Sequence, residues 1–157
     1  MNVICFHKPN EVNGFLSNWY KSSFILDGVK FSSEEQHMMY SKAVLFKDTE
    51  VAAKILQTED PAAIKALGRM VKNYDDAIWC ARSYEIVKRG LYAKFSQNPR
   101  LRKKLLSTGN LLLAECAVND RKWGIGVSMN DPRNQIPQCW RGSNLLGQVL
   151  MDVRAML

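Results

Sequence analysis

Residues 31 to 43, Phe-Ser-Ser-Glu-Glu-Gln-His-Met-Met-Tyr-Ser-Lys-Ala, dictate a helix that the rest of the chain has to accommodate. Ser32 with Glu35 and Ser33 with Gln36 each fit a capping box, in which a hydroxyl and a returning side chain satisfy amides at a helix N-terminus. Beyond the cap, Met38, Met39, Leu45 and Phe46 recur at helical spacing and define an apolar stripe. Glu35 and Lys42 fall on that stripe about two turns apart, roughly 10 Å along the axis. A charge on a face that enters the core must be paired, reach water along an apolar stem, or line a polar cavity. Spacing alone leaves Glu35 open between a capping carboxylate and a site residue, and Lys42 between a snorkelling lysine and a site residue. His37 reads as a satisfied or surface histidine rather than a ligand, and the methionine pair as core filling.

The 157 residues are enough for one domain, 1–157, whose core needs no disulfide or metal staple. A hydrophobic share of 46% and a charged share of 24% exclude a disordered or fibrous chain. The formal net charge of +7 favours anionic partners, whether phosphate-bearing metabolites or nucleic acid. The basic residues Lys88, Arg89, Lys94, Arg100, Arg102, Lys103 and Lys104 read as a solvated helix face. Cys5, Cys80, Cys116 and Cys139 are widely separated and, with His7 and His37 the only histidines, give no metal-ligand spacing. No signal peptide is read in the polar first twenty residues, and no apolar run approaches the roughly 20 residues of a membrane span. The expectation is a cytoplasmic protein with reduced thiols and no membrane partner.

Along the chain, residues 2–6 have the character of a short strand, and 24–26 and 29–31 form a hairpin around Asp27-Gly28. Helices are expected at 49–57, at 61–67 with Asp60 as cap and Pro61 in the first turn, at 75–96, and after Asn98-Pro99. In the longest of them Ile78, Trp79, Arg82, Ile86, Gly90 and Leu91 mark a buried side. Residues 111–118 read as a buried strand, and a last helix follows Trp140-Arg141-Gly142-Ser143-Asn144-Leu145-Leu146-Gly147. The fold class is therefore mainly α with a small β component, α+β.

A second informative place is the loop after that strand. Asp120 followed by Trp123, Gly124 and Gly126 sets a carboxylate and a flat ring beside glycines that permit close backbone approach to a ligand; a tight turn around a core tryptophan fits equally. Gly-Ile-Gly lacks the third glycine and βαβ setting of a dinucleotide fingerprint, and there is no Walker loop. Neither histidine stands in a recognisable nucleophile triad.

Taken together, the motifs resemble the NADAR family of YbiA-like N-glycosidases. The resemblance rests on Phe15-Leu16-Ser17-Asn18-Trp19-Tyr20; Ser33-Glu34-Glu35 with Lys42-Ala43; Leu67-Gly68-Arg69; Trp79; Leu91-Tyr92-Ala93-Lys94-Phe95; Leu106-Ser107-Thr108-Gly109; Asp120 with Trp123-Gly124-Ile125-Gly126; and the Trp140–Gly147 stretch with Val153-Arg154. Phe31 and Gln36 depart from the family, which often has tryptophan and histidine there. The resemblance implies a compact YbiA-like domain without metal or cofactor, hydrolysing the N-glycosidic bond between a base and a phosphate-bearing ribose. The implied substrates are ADP-ribosyl-guanine, including ADP-ribosylated nucleic acid, or early phosphoribosyl intermediates of riboflavin synthesis.

Base departure from C1′ builds oxocarbenium character, which a carboxylate stabilises or answers with activated water. Glu35 is thus the expected principal acid/base and Asp120 a second carboxylate, with Lys42 binding the phosphoribosyl group or attacking C1′ as an amine. Trp19, Trp79 and Trp123 are expected base or sugar contacts, Gly124 and Gly126 backbone contacts, and Asn18, Arg69 and Asn144 polar or phosphate contacts. Two other classes stay open: a module that binds ADP-ribose or a nucleotide without cleaving it, and a basic nucleic-acid-binding domain with strongly salt-dependent affinity.

Overall fold

The computed structural model describes residues 2–157, which contain in chain order β1 (Val3–Phe6), β2 (Phe24–Leu26), β3 (Val29–Phe31), α1 (Glu34–Leu45), α2 (Thr49–Leu56), α3 (Pro61–Gly68), α4 (Asp76–Gln97), α5 (Pro99–Leu106), β4 (Leu112–Glu115) and α6 (Leu145–Met156). This is the expected α+β class, with its strands in two two-stranded sheets. Two compact units are formed: a central one, Lys21–Asn98, and a terminal one that joins the chain up to Tyr20 to Pro99–Leu157. Among the described residues no helix is long and apolar enough to cross a membrane.

In the central unit the hairpin forms as its sequence dictates. Asp27 and Gly28 both take positive φ, 52° and 79°, the pair of left-handed residues that a two-residue turn needs to match strand twist. The Gln97 amide, from the end of α4, holds the hairpin edge by accepting from the Ile25 N–H at 2.8 Å and donating to the Ile25 carbonyl at 2.7 Å.

The hairpin leads directly into α1. Ser33 is its N-cap, with Oγ accepting from the Gln36 N–H at 3.1 Å, while Gln36 Oε1 reaches back to accept from the Ser32 N–H at 2.7 Å. Such a cap contributes about 1 kcal/mol. The Gln36 amide also donates to the carbonyls of Ile55 and Thr58, tying α1 to the end of α2. Helices α2, α3 and α4 all pack against α1. Instead of presenting one stripe, α1 is therefore enclosed at its start: every residue from Ser33 to Met39 is buried.

The buried side of α4 is rotated from its expected position. Ile78 is 46% exposed and Arg82 is exposed, whereas Trp79, Ser83, Val87, Gly90, Leu91 and Lys94 face inward. The small residues decide this, because a Cβ at Gly90 would overlap the Glu34 carboxylate and His37 Nδ1 of α1. Lys94, expected on a solvated face, is instead fully buried; a lysine is tolerated there because the Glu34 carboxylate bears on its charge.

In the terminal unit β1 and β4 pair in parallel, from Val3 against Leu112 to Phe6 against Glu115. The strand is shorter than its apolar run: with one partner only, Leu111 and Leu112 remain 37% exposed. One face carries the cluster Val3, Ala114, Cys116, Ile125 and Val127. Helix α6 packs against β4 and buries Leu146, Val149, Leu150 and Val153.

Candidate functional site

In the central unit the structure brings Lys42, Trp79 and Gly68 together, with Glu35 and Arg69 near enough for their charges to bear on Lys42. Lys42 sits in the last turn of α1 and donates from Nζ to the Gly68 carbonyl, the last residue of α3, at 2.8 Å. That carbonyl is reachable because Gly68 is small: a Cβ there would collide with the Met39 side chain seated against it. The face of the Tyr74 ring lies 4.6 Å from Nζ and Trp79, itself 5% exposed, at 6.0 Å. Lys42 is half-buried, and burial pulls its pKa below the ordinary lysine value; Glu35 opposes that shift and Arg69 adds to it. An amine with these surroundings reaches its neutral, nucleophilic form more readily than a lysine in water.

Glu35 is 7% exposed, and the cap of α1 is made by Ser33 and Gln36. Arg69, just past α3, is exposed. Tyr74 was missed by sequence reasoning. It precedes the Asp75 cap of α4, its hydroxyl donates to Asp76 Oδ1 at 2.7 Å, and its ring packs against Phe46 at a centroid distance of 5.4 Å. Only its place directly before a cap signals a residue held by a helix start. The Gly68 carbonyl, a backbone atom, has no sequence signal.

In the terminal unit Asp120, Trp123, Gly124, Gly126 and Asn144 share one construction. Asp120 Oδ1 accepts from the N–H groups of Lys122 at 3.0 Å and Trp123 at 2.8 Å, closing the loop on itself. The loop then pairs, backbone to backbone, with the stretch leading into α6 and with the first turn of that helix. Arg141 N–H donates to Ile125 O, Ser143 to Arg121 O, Asn144 to Gly124 O and Leu146 to Trp123 O, at 2.8 to 3.1 Å. The absence of side chains serves that pairing: a Cβ at Gly124 would lie 2.8 Å from Ala117 Cβ, and one at Gly142 would overlap the Gly124 carbonyl. Gly126 takes φ +69°, a conformation that favours glycine.

Asn144 is buried, with Oδ1 accepting from Glu115 N–H at 3.1 Å and Nδ2 donating to Leu113 O at 2.9 Å. Its amide therefore ties α6 to β4. Trp123 is half-buried and Asp120 exposed. Asn18 Oδ1 is buried without a hydrogen-bond partner among the described residues, and Trp19 beside it is half-buried. Glu115, at the end of β4, is a carboxylate that sequence reasoning passed over. It lies 3.3 Å from His7 Nδ1, and burial raises its pKa against the opposing pull of His7, with Asp120 adding to the rise.

The NADAR domain family matches residues 5–157, and the chain belongs to that family. An N-glycosidase of Acanthamoeba polyphaga mimivirus is 40% identical over 159 residues, covering 96% of this chain and 94% of that protein. A riboflavin biosynthesis protein of Vibrio vulnificus (strain YJ016) is 32% identical, covering 98% of this chain but 38% of its own length. The fold is similar to the NMR structure of the E. coli protein YbiA, with a TM-score of 0.80 and 26% identity over 99% of this chain and 84% of that one.

Proposed function

We propose that this chain is an N-glycosidase, a hydrolase that cleaves the bond between a base and C1′ of a phosphate-bearing ribose, working as one functional domain over 1–157. The observation that carries the proposal is the Lys42 amine, desolvated, held by a backbone carbonyl and flanked by two aromatic rings, with the Glu35 charge bearing on it. The relative named an N-glycosidase, similar over nearly its whole length, supports the same reaction class.

In this reading the neutral Lys42 amine forms a bond to C1′ while the bond from C1′ to the base breaks. The base leaves with that electron pair and takes up a proton, which Glu35 supplies as acid. The alkylated nitrogen then passes a proton to the Glu35 carboxylate, its lone pair breaks the C1′–O4′ bond while O4′ takes that proton, and water adds at C1′ of the resulting iminium, the protonated imine. Collapse of the carbinolamine breaks the bond from C1′ to Nζ, releasing the free sugar and returning the amine and the protonated Glu35. The ribose phosphate is bound by cationic groups such as Arg69, and the buried Trp79 ring backs the Lys42 amine against which the base and sugar are held.

The substrate is ADP-ribosyl-guanine, free or in nucleic acid, or a phosphoribosyl aminopyrimidine of riboflavin synthesis; the net charge of +7 suits either anion. The test is mass-spectrometric turnover of an ADP-ribosylated guanine oligonucleotide and of the phosphoribosyl aminopyrimidine, by the parent and by Glu35→Gln. Cleavage by the parent alone supports the proposal and names the substrate. Tight binding of both without cleavage would replace it with a recognition module.

A further inference from the structure

We propose that Tyr74 is a positioning residue for Lys42: the face of its phenol ring and the Gly68 carbonyl together fix where the Lys42 amine stands. The inference rests on the reading of Lys42 given above, but its test does not depend on turnover.

Lys42 Nζ has one hydrogen-bond acceptor among the described residues in the Gly68 carbonyl, 2.8 Å away, and the Tyr74 ring face 4.6 Å from it. An ammonium over a ring face is attracted by the negative face of the π system, an interaction that strengthens when water is excluded. Trp79 stands farther off at 6.0 Å, which leaves Tyr74 as the nearer ring. Tyr74 is itself held in place from two sides. Its hydroxyl donates to Asp76 at the start of α4, and its ring meets Phe46, the residue that ends α1. The ring therefore connects the end of α1 to the start of α4 at the point where Lys42 emerges.

The charged and titratable groups bearing on this pair are Glu35 from α1, Arg69 from the end of α3, and Asp76 from α4, with Asp75 and Cys80 acting on the Tyr74 hydroxyl. Burial and Arg69 favour the neutral amine; Glu35 and the ring favour the ammonium. Tyr74 thus does two things at once. It keeps the amine pointed at one place, and its ring face opposes the loss of charge that burial favours, so that the same group can meet a phosphate-bearing substrate as a cation and react as an amine.

The experiment labels the lysines with ¹³C-methyl groups by reductive methylation and follows the Lys42 resonance, assigned by its loss in Lys42→Arg, as a function of pH. Tyr74→Leu should lower the Lys42 pKa by roughly a few tenths of a unit to one unit, the range expected for a half-buried ammonium that loses a partly exposed aromatic face. Tyr74→Phe, which keeps the ring, should restore most of the parent value. A series of increasingly fluorinated phenylalanines at position 74 should lower the pKa stepwise, because fluorine drains the ring face without changing its shape. That series keeps the test open if Tyr74→Leu fails to fold. A Lys42 pKa that stays constant across the series, or rises, overturns the proposal. Failure of the function reading looks different: the titration responds to position 74 as expected, yet the parent cleaves neither substrate.

Discussion

Glu34 Oε1 and His37 Nδ1 lie 2.5 Å apart on successive turns of α1, sealed from solvent, and the buried Lys94 of α4 bears on the same carboxylate. Burial raises the Glu34 pKa, with His37 and Lys94 opposing; burial also brings Lys94 down to about 7, with Glu34 opposing. Above that pH the folded chain releases the Lys94 proton while the unfolded chain keeps its own up to about 10.4. The unfolded state then binds more protons, so this group's contribution to stability rises with pH between about 7 and 10. Glu34 acts oppositely: the folded state holds its proton longer, and its contribution falls as pH rises above the unfolded carboxyl value. The stability difference between the parent and Lys94→Met should therefore move in the parent's favour as pH is raised from 7 to 9.5 in urea titrations. A difference that does not change with pH would show that Lys94 does not titrate in this window.

Gly90 is what allows α4 to approach that cluster, since a Cβ there would overlap both the Glu34 carboxylate and the His37 ring. Gly90→Ala would normally gain about 1 kcal/mol of helix propensity. Here the overlap outweighs that gain, and a net loss of about 1–3 kcal/mol is expected. The measurement is the urea midpoint at constant slope. A variant as stable as the parent would mean that the cluster can move aside.

Lys42→Arg separates binding from chemistry. Arginine retains the positive charge and can bind phosphate, but its guanidinium stays protonated and cannot form the imine. Turnover should fall on the order of 100-fold or more, while the affinity for ribose 5-phosphate stays within a few-fold. Borohydride added during turnover should trap a sugar adduct on the parent and none on the variant. Parental turnover by Lys42→Arg would eliminate the imine.

For Asp120 the loop and the charge can be tested apart. Asp120→Asn keeps the Oδ1 acceptor for the Lys122 and Trp123 N–H groups, so stability should stay within about 0.5 kcal/mol of the parent. Asp120→Ala removes the acceptor and should cost about 1–2 kcal/mol. Chemical denaturation of the two variants decides this. Lost turnover in the Asn variant at unchanged stability would assign the carboxylate charge to the chemistry.

Elements with local causes were legible in the sequence. The Asp27-Gly28 turn, the Ser33 cap with its Gln36 partner and the Asp60-Pro61 helix start are each decided within a few residues, and each forms as expected. What the sequence hid depends on distant partners. The burial of Lys94 requires Glu34 on another helix, and the inward turn of α4 follows from Gly90 meeting that same residue rather than from the hydrophobicity of Ile78, which faces water. Around Lys42 the helical spacing to Glu35 was readable, whereas the Gly68 carbonyl at the end of α3 is a backbone atom and the Tyr74 ring comes from the connection between α3 and α4, which carries no periodic signal. Gly124 and Gly126 were visible as places of close approach, whereas the backbone pairing of their loop with residues 141–146, where Gly142 meets the Gly124 carbonyl, joins stretches far apart in sequence and carries no local signal.

Asn144 shows how a residue with the chemistry of a ligand contact serves the frame. It stands at the start of α6 with φ 54° and caps nothing; its amide instead bridges Glu115 N–H and Leu113 O, closing α6 onto β4. Asn144→Ala keeps a β-carbon in the left-handed region but loses the short polar side chain that makes asparagine tolerant of it, at up to about 1 kcal/mol, and leaves a donor and an acceptor of β4 without their side-chain partners, at about 1 kcal/mol or more each. A total loss of about 3 kcal/mol is expected by urea denaturation. Asn144→Gly loses the same bonds without the backbone strain and should be less damaging by up to about 1 kcal/mol. Equal losses in the two variants would show that the left-handed backbone carries no cost. Ribose 5-phosphate affinity, measured calorimetrically on the folded fraction, should be unchanged in Asn144→Gly. A selective loss of affinity at preserved stability would instead make the Asn144 amide a substrate contact.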